Sequence, residues 1–171
     1  MTIANGLTLF RALAGLPIFV ALGAGERTFA VVLFGIAATS DALDGYLARR
    51  SGTAEGHGVL FDPLADKALV LPALIGLALV GSAPLEIAAI IVVRELFVAA
   101  VRVLRFRQGL QMHASVAAKA KTACEMSALV LLIAQPTALV TELGAALLTA
   151  AALIGILTLP AYLPHPRRRF T

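Results

Sequence analysis

Four aspartates stand in two close pairs, Asp41 with Asp44 and Asp62 with Asp66, at spacings of three and four residues. Either spacing puts both carboxylates of a pair on one helix face. Gly45 and Ala48 continue the first stripe, and Gly58 begins the second, four residues before Asp62. Very small residues beside carboxylates leave room for a ligand to lie against the backbone. Four carboxylates gathered in one low-dielectric site repel one another strongly. Divalent cations resolve that conflict, and all-oxygen donors favour Mg²⁺, with Mn²⁺ as the alternative. Two such ions side by side form a clamp for pyrophosphate or phosphoryl chemistry. Pro63 disfavours helical geometry at Asp62, which leaves that residue two placements, within the helix or as its N-cap at the cavity mouth.

The elements that must position these residues are read from composition. Of 171 residues, 60% are hydrophobic and 14% charged, where a soluble domain carries ~25% charged. A soluble fold of this length needs far more polar surface. The expectation is an all-α integral membrane protein, one domain over residues 1–171. A spanning helix takes ~20 mostly apolar residues. Six segments meet or approach that requirement, at 7–23, 28–50, 60–81, 85–106, 114–134 and 137–159. Gly-, Pro- and polar-rich steps separate them. Arg11 interrupts the first segment and no basic residue precedes it, so it reads as a retained helix and not a signal peptide.

The inner segments carry Asp41, Asp44, Asp62, Asp66, Lys67, Arg94, Glu95, Arg102, Lys119, Lys121 and Glu125. A charge at mid-membrane costs ~2.5–3.5 kcal/mol on insertion scales. These charges must turn toward a shared cavity, toward partners or toward the interface. Six spans put both termini on one side, and the loops near Arg49, Arg50, Arg105, Arg107 and Arg167–Arg169 join them there, against Arg27 alone on the other. The positive-inside rule makes the basic side cytoplasmic. All the buried-segment charges then fall in cytoplasmic halves, as a polar cavity open to the cytoplasm requires. Simpler readings compete: each Asp pairs with Arg49, Lys67 or Arg94, or the cluster is the pathway of a divalent-cation transporter.

The +4 formal charge does not indicate nucleic acid, because the basic residues are scattered and there are 8 Phe, 2 Tyr and no Trp for stacking bases. Membrane lipids are the expected anionic partner. Cys124 is the sole cysteine and permits no intrachain disulfide. His57, His113 and His165 are too dispersed for a zinc site.

The run Asp41-x-x-Asp44-Gly45-x-x-Ala48-Arg49, eight further residues, then Gly58-x-x-x-Asp62-x-x-x-Asp66 resembles, without departure, the signature of the CDP-alcohol phosphotransferases. The resemblance implies six membrane helices and two metal ions held by Asp41, Asp44, Asp62 and Asp66, with Asp66 also acting as general base. It further implies that Gly45 and Ala48 lie under the cytidine and that Arg49 contacts phosphate, a role suited to a permanently charged, bidentate guanidinium. The family is commonly dimeric, which implies a homodimer.

Beyond the signature, Asn5-x-Leu7-Thr8-Leu9-Phe10-Arg11 is similar to the start of the phosphatidylglycerolphosphate synthase branch. So are Phe61-Asp62-Pro63-x-Ala65-Asp66-Lys67 and Val93-Arg94-Glu95 with Arg102 eight residues on. Lys119-x-Lys121-Thr122 resembles that branch's Gly-Lys-x-Lys-Thr, with Ala118 in place of Gly. The branch implies CDP-diacylglycerol as donor, contacted by Asn5, Thr8, Gly45, Ala48, Arg49 and Gly58. It implies glycerol 3-phosphate as acceptor, giving phosphatidylglycerol phosphate in a bacterial inner membrane. Arg94, Arg102, Lys119 and Lys121 are the candidate ligands of the acceptor phosphate, against the plainer reading that they snorkel to the interface. Inositol phosphate, serine and phosphatidylglycerol are the alternative acceptors. The resemblance covers about residues 5–130 and is silent on the last helix.

Overall fold

The computed structural model describes residues 3–51, 61–108, 115–135 and 137–162; for 3–9, 12, 41–51 and 61–66 it describes the backbone alone. All regular structure among these residues is helical: α1 (Ile3–Gly23), α2 (Arg27–Ser51), α3 (Phe61–Leu79), α4 (Leu85–Arg107), α5 (Val116–Ala134), α6 (Ala138–Leu157) and a 3₁₀ turn, Leu159–Tyr162. Each of the six expected segments holds one helix. The largest difference is at α1, which begins at Ile3 instead of residue 7.

The boundaries follow from local chemistry. Gly25 (φ 80°) turns the chain between α1 and α2, and Gly81 (φ 70°) does so between α3 and α4, conformations that side chains with a Cβ disfavour. Ser115 caps α5 by accepting from the Ala118 amide at 3.2 Å, and Thr137 caps α6 by accepting from Val140 at 3.4 Å.

Contacts between helices set their directions. A Cβ on Gly15 would lie 1.9 Å from the Ala68 carbonyl oxygen, and one on Gly76 would meet Leu22 and Phe19 at 3.1 and 3.3 Å. Helices α1 and α3 therefore run parallel, with backbones in close approach at Gly15. At the far end Arg27 donates to Ser82 Oγ at 2.9 Å and to the Leu132 carbonyl at 3.5 Å. Gln135 donates to the Ser82 carbonyl at 3.3 Å. The start of α2, the end of α3 and the end of α5 thus meet there. Arg94 on α4 meets Gly155 and Thr158 at the end of α6, while Arg102 and Arg105 meet Tyr162, so α4 and α6 also run parallel. Successive helices alternate in direction. The start of α1, the end of α2, the start of α3, the end of α4, the start of α5 and the end of α6 share one end of the bundle.

The interior between helices mixes many alanines, among them Ala14, Ala21, Ala30, Ala37, Ala73, Ala88, Ala128, Ala151 and Ala152, with large side chains such as Ile18, Phe34, Leu74, Leu129 and Leu148. Many other large apolar side chains point outward, including Leu13, Leu16, Val20, Phe29, Leu79, Val93, Leu139 and Leu157. Among the described residues, α6 is the one helix long and apolar enough to cross a membrane by length and composition, with mean hydropathy 2.0. Charges interrupt the other apolar stretches: α4 alone holds Glu86, Arg94, Glu95, Arg102, Arg105 and Arg107.

Candidate functional site

The shared end of the bundle receives two sets of charged residues. The acidic set lies on two consecutive helices. Asp41, Asp44, Gly45, Ala48 and Arg49 occupy the last part of α2, and Asp62 and Asp66 the first turns of α3. Asn5 and Thr8 lie in the opening turns of α1 at the same end. Asp62 is the second residue of α3, inside the helix and not before it. Pro63 then falls within the first turn, where a missing N–H leaves no hydrogen bond unmade. Gly58 lies outside the described residues, as do the three histidines and Arg167–Arg169. Hard oxygen donors are the right chemistry for Mg²⁺ or Mn²⁺, and the backbone path brings the helical portions that carry all four aspartates to one end of the fold.

The basic set is seen with its side chains. A pocket is lined by Lys67 of α3, by Arg94, Glu95, Val98, Ala99 and Arg102 of α4, by Ala118, Lys121 and Thr122 of α5, and by Tyr162. The spacings explain the lining, since 94, 95, 98, 99 and 102 form one helical face and 118, 121, 122 and 125 another. Glu95 is the hub. It is 1% exposed and contacts Lys67, Arg94 and Lys121, the Arg94 Nη1 contact being 2.6 Å. Lys121, 2% exposed, also donates to Glu125 one helical turn further along α5. Arg94 donates from Nε to the Gly155 carbonyl at 3.3 Å and from Nη2 to Thr158 Oγ1 at 3.1 Å.

Buried charges persist only when paired and hydrogen-bonded, and removing one partner strands the other. Among the side chains described, Lys67, Arg94, Arg102 and Lys121 converge with Glu95 and Glu125. Guanidinium and ammonium groups converging on a small polar pocket suit a phosphate, which guanidinium can bond bidentately.

Of the four cations expected to hold an acceptor phosphate, Arg94, Arg102 and Lys121 come together in this pocket, while Lys119 is exposed and does not line it. Two residues of an α-helix are ~200° apart, so Lys119 and Lys121 cannot share a face. Lys67 and Glu95 belong to the pocket although spacing assigned them no role there. Their signal was a charge inside an apolar segment, which predicts a partner but does not say which one. Tyr162 and Thr158 carried no such signal. Arg11, which interrupts the first apolar segment, is 3% exposed on α1.

Residues 1–158 match the family model described as CDP-alcohol phosphatidyltransferase. A Mycobacterium tuberculosis (strain ATCC 25618 / H37Rv) protein named "Probable phosphatidylglycerophosphate synthase" is 34% identical over 163 residues, covering 91% of this chain and 77% of its own. The CDP-diacylglycerol--glycerol-3-phosphate 3-phosphatidyltransferase of Pseudomonas fluorescens is 37% identical over 147 residues, covering 81% and 75%. That of Shigella flexneri is 33% identical over 175 residues, covering 94% and 92%.

Proposed function

Because the chain belongs to the membrane-associated CDP-alcohol phosphatidyltransferase family, we propose that it is an enzyme that transfers a phosphatidyl group from CDP-diacylglycerol to glycerol 3-phosphate. The products are phosphatidylglycerol phosphate and CMP, which makes the protein a transferase of phospholipid biosynthesis. Similar proteins bearing that enzyme name extend over most of the chain. The observation that carries the choice of acceptor is the convergence of Lys67, Arg94, Arg102 and Lys121 on one pocket. Glu95 and Glu125 balance part of that positive charge, and a phosphate-bearing acceptor can take up the rest. Serine, already neutral overall, gives the cations little to bind.

The setting is a six-span bundle in a single domain, with both termini and the site on the cytoplasmic side of a bacterial inner membrane. Its support is the outward display of many large apolar residues, which suits lipid contact, together with close helix approach at small residues such as Gly15. It is supported equally by the clustering of basic residues at one end. A homodimer is the assembly implied by the family resemblance.

In this reading Asp41, Asp44, Asp62 and Asp66 hold two divalent cations, Mg²⁺ in preference to Mn²⁺. When bound, the ions supply positive charge against the donor pyrophosphate. Gly45 and Ala48 leave space for the cytidine, Arg49 binds a donor phosphate oxygen, and Asn5, Thr8 and Gly58 complete the donor contacts. Arg94, Arg102 and Lys121 hold the acceptor phosphate, with Lys67 beside them. Held there, the acceptor presents its 1-hydroxyl toward the start of α3, and proximity replaces an unfavourable bimolecular encounter. The Asp66 carboxylate takes the hydroxyl proton. The freed oxygen bonds to the β-phosphorus as the bond from that phosphorus to the bridging oxygen breaks, and CMP leaves. Lys119, exposed at the start of α5, is left to the interface.

An acceptor panel tests this reading. Purified protein is given labelled CDP-diacylglycerol with glycerol 3-phosphate, inositol phosphate, serine or phosphatidylglycerol, and CMP is measured. Glycerol 3-phosphate is expected to support the fastest release; faster turnover with any other acceptor refutes the assignment. Metal flux in proteoliposomes without CMP release would instead identify a transporter.

A further inference from the structure

The C-terminal end of the described chain grips both arginines of the anion pocket. Gly155 has no side chain, and a Cβ there would stand 3.4 Å from Arg94 Nε, so the guanidinium lies directly along α6. Its Nε and Nη2 are bonded there to Gly155 and Thr158. One turn further on, the Tyr162 ring centroid is 5.7 Å from Cζ of Arg94 and 5.7 Å from Cζ of Arg102. Both distances fall inside the ~6 Å reach of cation–π attraction. Arg102 Nη2 also donates to the Tyr162 hydroxyl at 3.4 Å, and Arg105 Nη2 donates to the Tyr162 carbonyl at 3.2 Å, tying the turn to α4. Tyr162 is 6% exposed and lines the pocket. It lies beyond residue 158, where the family match ends.

An unrestrained arginine has four flexible torsions and must order them when it binds an anion. A ring packed against two guanidiniums removes much of that cost in advance. We propose that Tyr162 is a positioning residue for the acceptor: it holds Arg94 and Arg102 ready for the phosphate monoester of a small polyol. The proposal rests on the acceptor reading above. It does not involve the donor, whose proposed contacts come from α1, α2 and Gly58. Loss of Tyr162 therefore weakens acceptor binding selectively.

The test compares full-length wild-type protein with Tyr162→Leu, Tyr162→Phe and Arg102→Gln in detergent micelles containing CDP-diacylglycerol. CMP release is followed while each substrate is titrated, and thermal unfolding is recorded in the same detergent. Tyr162→Leu is expected to raise KM for glycerol 3-phosphate on the order of 10-fold, the scale of two partly desolvated cation–π contacts. Both kcat and KM for CDP-diacylglycerol should stay within about 2-fold, the pattern of lost acceptor binding alone. Tyr162→Phe keeps the ring and should recover most of the acceptor KM. Should Tyr162→Leu fail to fold, Tyr162→Gln carries the same test, because it keeps a polar group and lacks the ring. An unchanged acceptor KM in the ring-less variant, or equal losses for both substrates, overturns the proposal. If Arg102→Gln raises the acceptor KM and the ring-less variant does not, the proposal falls and the anion pocket stands. If neither changes it, the acceptor reading falls as well.

Discussion

The acidic stretch on α2 and α3 collects four aspartates from 26 consecutive residues. The basic pocket at the same end of the bundle draws its charged groups from α3, α4 and α5, with Tyr162 closing one wall. The first set is local in sequence, and two helix faces account for it. The second is assembled by packing, and its cations are held around Glu95, which reaches three of them from the middle of α4. The difference separates two kinds of charged site. A cluster of like charges close in sequence points to something from outside that neutralises it, here the proposed divalent cations. A cluster of mixed charges distant in sequence can organise itself, keeping only a fraction of its charge for a ligand.

That contrast predicts different failures. Asp66→Asn should have the largest effect on rate, a loss of about 10²–10⁴ in kcat as expected for removing a general base. Its unfolding in detergent should stay near wild type, and near-normal turnover would rule out the base assignment. Glu95→Gln should act first on stability, because removing one partner from a buried ion cluster costs about 3–5 kcal/mol. Thermal or denaturant unfolding of the variant measures this. Adding Lys121→Met should then cost less than in the wild-type background, since the two residues share one network. A Glu95→Gln variant as stable as wild type would contradict the hub role. The smallest effects separate neighbouring lysines: Lys119→Ala should leave acceptor KM within about 2-fold, whereas Lys121→Met should raise it more than 10-fold, each read as lost ground-state binding. Similar behaviour of the two would return Lys119 to the site.

How legible these features were in sequence follows the same division. Six helices were readable because long apolar runs and Gly or Pro punctuation are local signals; Gly25 and Gly81 take up positive φ at two of the breaks. The aspartate stripes were readable because helical period relates residues three and four apart. Asp62 remained ambiguous until the start of α3 at Phe61 placed it within the helix. The basic pocket was read in part. Arg94 and Arg102 can be named from their depth in an apolar segment, whereas Lys119 and Lys121 enter together through one short motif, although α5 turns Lys119 outward. Nothing local marked Tyr162, whose role depends on α6 running parallel to α4 and ending beside Arg102. The close approach of α1 and α3 at Gly15 was equally hidden, since a glycine in an apolar run does not reveal which backbone it meets.

The most direct test of a two-part transferase site is CMP release by the purified protein from CDP-diacylglycerol, with and without glycerol 3-phosphate, in EDTA and after Mg²⁺ is restored. Rapid release is expected only when acceptor and metal are both present, with phosphatidylglycerol phosphate formed in equal amount. Release that persists in EDTA, or that proceeds equally without acceptor, would contradict a two-part site.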